Sequence, residues 1–125
     1  MLTVYDAVDG ILVKRDGGVA EINASTVWID LHHPTKEEES AVEKAVGLMV
    51  PTREEMAEIE ASSRLYAEGG AHFMTAVVLH QPGTETQLAP IATPITFILA
   101  GARLVTVRYE KPRAFDIFLS RAQKK

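Results

Sequence analysis

Two Thr-x-x-Glu signatures, Thr35 with Glu38 and Thr52 with Glu55, fix two helix starts in the middle of the chain. At this spacing the threonine hydroxyl accepts from a backbone N–H of the first turn while the glutamate reaches back to the threonine's own N–H. Two donors that a helix start leaves open are thereby satisfied. After the first signature, Ala41, Val42, Ala45, Val46 and Met49 form an apolar stripe at helical spacing, with glutamates opposite and Gly47 either at the helix end or in its last turn. After the second, Met56 and Ile59 supply a shorter stripe.

On either side of these helices the apolar runs are strand-sized. Asp9-Gly10, between runs around Val4 and at residues 11–13, readily takes the positive φ of a tight turn and predicts a hairpin over residues 2–15. Gly17-Gly18 breaks that pattern, and residues 27–31, bounded by Ser/Thr and by His-His-Pro, predict a central strand. Phe73, Val77, Val78 and Leu79 mark a strand over residues 72–80, followed at 81–92 by a polar loop with Pro82, Gly83 and Pro90, the expected site of mobility. Residues 95–99 and 104–109 read as an antiparallel pair around Ala100-Gly101-Ala102, with Gly69-Gly70 as a further turn former. Pro112 opens a last helix whose Phe115, Phe118, Leu119 and Ala122 share one face. Strands near both ends with helices between them predict an α/β (α+β) fold, a mixed and largely antiparallel sheet covered by helices.

With 125 residues the chain suits one domain, residues 1–125, and its 46% apolar content is too high for a disordered segment. A net charge of −4 argues against nucleic acid as a partner, because neutralising phosphates needs a basic face. Without cysteine there is neither disulfide nor thiolate metal site. No apolar run approaches the roughly 18 residues of a spanning helix. The start lacks a basic n-region, so no secretory signal is expected, and the end at Lys125 has no helix-stop residue, as for a chain cut inside or just after a helix.

Catalytic patterns are missing. There is no Gly-x-x-x-x-Gly-Lys or Gly-x-Gly-x-x-Gly phosphate loop, and Ser62-Ser63 lacks both a nucleophile elbow and a nearby histidine. His32-His33 beside Asp30 offers transition-metal donors, but neighbours in a strand point to opposite faces, which favours a solvated turn ahead of the helix cap. His72 and His80 share strand parity yet would stand roughly 26 Å apart, too far for one ion. Glu37, Glu38, Glu39 and Glu43 read as a solvated helix face suited to the helix dipole. Glu54-Glu55 has the same explanation as first-turn and capping acids.

Residues 51–66, Pro-Thr-Arg-Glu-Glu-Met-Ala-Glu-Ile-Glu-Ala-Ser-Ser-Arg-Leu-Tyr, join a helix start, an acidic first turn and a compact Ser-Ser-Arg strand entry. Upstream stand Trp28-Ile29-Asp30-Leu31, Pro34-Thr35 and an acidic helix; downstream stands Leu104-Val105-Thr106-Val107-Arg108-Tyr109. This order resembles the cytoplasmic domain of CorA-type divalent metal ion transporters over nearly the whole chain. The resemblance implies an αβα sandwich, no catalysis, and a regulatory role on the cytoplasmic side of the inner membrane. It also implies a homo-oligomer, pentameric for a full-length family member, joined to the membrane by C-terminal helices with a Gly-Met-Asn signature that these residues do not include.

In such domains an acidic pair followed by an apolar residue opens this helix, and the second acid helps bind a regulatory cation between protomers. Here that position is Glu55, with Glu54 before it and Met56 after it. The implied ion is a weakly held Mg²⁺, with Co²⁺ or Ni²⁺ as alternatives. Glu stands where Asp is common, and Ser63-Arg64-Leu65 where Arg-Pro-Lys is common. The competing reading is a free-standing α/β module that binds a small molecule or a protein.

Overall fold

Asp9 and Gly10 take φ of +51° and +82°, and the left-handed pair turns β1 (Leu2–Val8) back into β2 (Ile11–Arg15), as the Asp-Gly dipeptide predicts. The computed structural model describes residues 1–15, 22–58, 65–80 and 91–110, together with Ile117, Ser120 and Arg121. The element order continues with β3 (Thr26–His32), α1 (Lys36–Val46), α2 (Arg53–Glu58), β4 (Leu65–Glu68), β5 (Ala71–His80), β6 (Ile91–Ala100) and β7 (Arg103–Arg108). All seven strands form one sheet in the order β2-β1-β3-β7-β6-β5-β4. Among the described residues only β3 and β7 pair in parallel, and the other pairs are antiparallel. A mixed sheet of seven strands with a few helices is therefore the observed architecture, of α/β type.

The core follows from strand alternation. Ile29 and Leu31 of β3 and Val105 and Val107 of β7 lie side by side in register and join Ile98, Phe73 and Ala71 in one buried cluster. Val42 of α1, Met56 of α2 and Val50 between the helices belong to the same cluster, so the helices close over this face. Trp28, Asp30 and Thr106 alternate with those residues and point to the other face. There Tyr5 stacks on Trp28 at 4.8 Å, Trp28 Nε1 donates to Thr106 Oγ1 at 2.9 Å, and Thr106 Oγ1 donates to Asp30 at 2.7 Å.

Both capping boxes form, and Gly47 takes a left-handed φ of +78° as the C-cap of α1. That cap corrects the expected stripe. The helix ends at Val46, so Met49 lies beyond it and is 72% exposed, Ala45 is exposed too, and Val50 enters the core. The expected loop over residues 81–92 overlaps β6, which starts at Ile91; residues 81–90 lie outside the described residues. Pro94 sits inside β6, but the ladder to β7 runs only from Ile95 onward, so the missing N–H falls where pairing on that side has ended. Gly69 and Gly70 turn β4 into β5 with φ of +59° and +81°. Ile117, Ser120 and Arg121 are helical, as Pro112 predicts, whereas Pro112, Phe115, Phe118, Leu119 and Ala122 lie outside the described residues, as do Gly17, Gly18 and Ile59.

Candidate functional site

The first turn of α2 is anchored from below and capped at its start. Met56 is buried in the core, while Thr52, Arg53, Glu54 and Glu55 are exposed. Glu55 donates its N–H to Thr52 Oγ1 at 3.1 Å, and Thr52 donates its N–H to Glu55 Oε1 at 3.0 Å. One carboxylate oxygen of Glu55 is thus a helix cap, which holds the side chain at a fixed place on the surface.

Glu54 and Glu55 do not converge. Successive helical residues are turned about 100° from each other, and their electrostatic neighbours differ accordingly. Glu55 acts on Tyr66, whose phenol is pushed up first by burial and then by the charges of Glu68 and Glu55. Tyr66 lies flat on Phe73, with ring centroids 4.8 Å apart and planes within 1° of parallel. Glu54 instead acts on Tyr109 and Glu39. Burial pushes the Tyr109 phenol up, and the Glu39 charge adds to that more than Arg53 opposes it. Glu39 is also raised, by burial and then by Glu43, against a hydrogen bond from Tyr109 and the charge of Lys36.

Among the described residues no group of three or more His, Asp or Glu side chains stands together so as to hold a metal ion. The donor chemistry sets what remains. Mg²⁺ prefers oxygen, keeps several of its waters and takes only one or two carboxylates. Glu55 offers one exposed carboxylate, one oxygen of which accepts from the Thr52 N–H, and Glu54 is the exposed acid beside it.

The other sequence candidates have different work. Asp30 is buried and bound by Arg108 Nη2 at 2.8 Å and by Thr106, so it has no place in a His32-His33 metal site. His33, at a φ of +48°, is exposed and meets the edge of Tyr109, while His32 donates its backbone N–H to the Met1 carbonyl at 2.9 Å. His72 and His80 lie toward opposite ends of β5. The acids of α1 are less solvated than expected. Only Glu37 is fully exposed; Glu38 closes the Thr35 box, Glu39 meets Tyr109, and Glu43 Oε2 accepts from the Val50 N–H at 2.7 Å. Ser62 and Ser63 lie outside the described residues. Sequence reasoning missed the cluster of Arg53, Tyr109, Glu39 and His33, because Tyr109 joins it from far along the chain and no local spacing announces it.

The chain matches the family model described as "CorA-like Mg2+ transporter protein" over residues 23–125. It is 30% identical over 125 residues to the magnesium transport protein CorA of Pasteurella multocida, an alignment that takes in 98% of this chain and 38% of that protein. The corresponding protein of Wolinella succinogenes is 28% identical over 120 residues, covering 93% of this chain and 37% of its own length. The chain thus spans less than two-fifths of these relatives. Among solved structures, the soluble domain of CorA from Methanocaldococcus jannaschii superposes with a TM-score of 0.67 at 16% identity, covering 100% of this chain and 47% of that one. The complete CorA magnesium transporter of the same organism gives 0.64 at 16% identity, covering 96% and 36%. At that identity the likeness is one of fold. No helix among the described residues is long and apolar enough to cross a membrane.

Proposed function

Because the chain belongs to the CorA-like Mg²⁺ transporter protein family, we propose that it is the regulatory cytoplasmic part of a divalent-cation transporter. Mg²⁺ is the first choice of cargo, with Co²⁺ or Ni²⁺ as alternatives. In this reading residues 1–125 form one unit on the cytoplasmic side of the inner membrane, without catalysis of their own. Conduction belongs to membrane helices elsewhere in the full-length protein, which assembles from identical protomers, a pentamer in the family resemblance.

The observation that carries the reading is the family match across the α2 region, together with the exposed carboxylate of Glu55 held in place by its cap. A surface carboxylate that belongs to no group of three or more donors among the described residues suits a shared site, in which each protomer supplies one or two oxygens to a largely hydrated Mg²⁺. Such an ion binds an assembly of protomers better than separated ones. By that difference in affinity it biases the equilibrium between a closed and a looser arrangement. Weak binding suits the task, because the site must empty when cytosolic Mg²⁺ falls.

The reading is tested by expressing the full-length protein in a bacterium stripped of its own Mg²⁺ uptake and measuring growth in Mg²⁺-poor medium. Restored growth, lost when the membrane part is removed, is the expected result. A well-expressed, membrane-inserted protein that restores neither growth nor Mg²⁺, Co²⁺ or Ni²⁺ uptake would overturn it.

A further inference from the structure

Tyr109 is the first residue beyond β7, and three elements meet on it. The Glu39 carboxylate of α1 is close enough for its charge to help push the Tyr109 phenol up. The Arg53 guanidinium of α2 lies 4.9 Å from the ring centroid, within cation–π range. His33, just past β3, meets the ring edge at 5.6 Å and 64°. His33 also donates its backbone N–H to the Arg108 carbonyl at 2.7 Å, from a left-handed φ of +48° that a non-glycine residue adopts only when its surroundings hold it there.

The sheet stops holding the chain at this point. Arg108 is the last residue of β7 paired on either side, opposite His32 in β3 and Ile95 in β6. Beyond it, the path is set by the contacts of Tyr109 and by the bond from Arg108 Nη1 to the Glu110 carbonyl at 3.0 Å. Among the described residues, the helix that supplies Arg53 is held at its start by the Thr52 cap and by the buried Met56.

We propose that Tyr109 is a latch that ties the chain leaving β7 to the first turn of α2, so that the state of that turn sets how firmly residues 108–110 are held. Arg53 and Glu55 share this turn, and anything that shifts or frays it moves the guanidinium on the Tyr109 ring. Tyr109 passes the change to His33 and to the Arg108 carbonyl, where the last sheet-like bond of the exit is made. The latch stands on these contacts alone; its use in metal regulation rests on the reading of Glu55 given above.

Amide hydrogen exchange of His33, followed by NMR in the 125-residue chain without added metal, reads the exit bond directly. Thr52→Ala removes the cap and Arg53→Met removes the cation while both leave the core untouched. Each should speed His33 exchange roughly two- to five-fold, as loss of a cap or an exposed cation–π contact would. Amides of the β1–β2 hairpin should not change. Once Arg53 is Met, adding Thr52→Ala should speed His33 little further, because the link between turn and ring is already cut. Tyr109→Phe, which keeps the ring, should leave the Arg53→Met effect in place. Unchanged His33 exchange in Arg53→Met, fully additive effects of the two α2 substitutions, or an acceleration shared by the hairpin amides would each overturn the latch.

Discussion

Arg108 closes on Asp30 along one edge of its guanidinium, with Nη2 2.8 Å from Oδ2 and Nε 3.1 Å from Oδ1, and both side chains are buried. The pair joins the parallel neighbours β3 and β7 at residues 78 apart in sequence. Thr106 and Trp28 extend it into a chain of hydrogen bonds on the face opposite the helices. Removing one member leaves the other charge buried without its partner. Arg108→Met should therefore destabilise the domain by about 3–5 kcal/mol, and Asp30→Asn by a comparable amount. Replacing both by apolar residues of similar volume should recover much of the loss, since the pair also carries a large desolvation penalty. Urea unfolding of the two single variants and the double variant checks this; equal and additive losses would mean that the two residues do not act as a pair.

Acid stability should depend on Asp6. Burial pushes its carboxyl up, but hydrogen bonds from Arg15, Thr26 and Asn23 outweigh that and hold it below its ordinary value of 3.8. The unfolded chain therefore takes up this proton first as pH falls. Asp6 contributes its full stabilisation above the ordinary carboxylate range and loses it as pH drops through the lowered folded value. Asp6→Asn should be less stable than the parent at pH 7 and should lose less stability between about pH 5 and pH 2. Parallel acid limbs for the two proteins would contradict the assignment.

Glu39 has the opposite sign. Burial and the charge of Glu43 raise its carboxyl above 4.5, so the folded state holds this proton more tightly than the unfolded one. Stability is then complete below the unfolded value and falls as pH rises through the folded one. Glu39→Gln, which mimics the protonated acid and can still accept from Tyr109, should raise the melting temperature at pH 7. The gain should vanish well below pH 4.5, where both forms are neutral. A gain that persists at acid pH would point to packing instead of charge.

What could be read from the sequence was local. The Asp9-Gly10 hairpin and the two capping boxes each depend on residues within four positions of one another, and each forms as expected. Glu55 and Glu54 could be placed on an exposed helix start for the same reason. Helical spacing alone carries the apolar stripe on to Met49, whereas the left-handed cap at Gly47 ends the helix and hands the core position to Val50. The parallel pairing of β3 with β7 and the contacts around Tyr109 join segments tens of residues apart, and no periodicity within either segment encodes the other.

Under the proposed function Glu55 has a second task beyond capping α2. If Glu55 is one ligand of a shared site, Mg²⁺ should bind the 125-residue chain weakly. A complete site with a Kd near 1 mM would stabilise by about 1.4 kcal/mol at 10 mM ion, and a partial one should do less. The decisive measurement is sedimentation velocity of the full-length protein across a Mg²⁺ series, in parent and Glu55→Gln forms. Glutamine removes the charge, nearly keeps the shape and leaves Thr52 to cap the helix. Mg²⁺ should tighten the parent assembly, and Glu55→Gln should shift that response to higher Mg²⁺ concentration. Identical Mg²⁺ responses in the two proteins would show that Glu55 is a helix cap and nothing more.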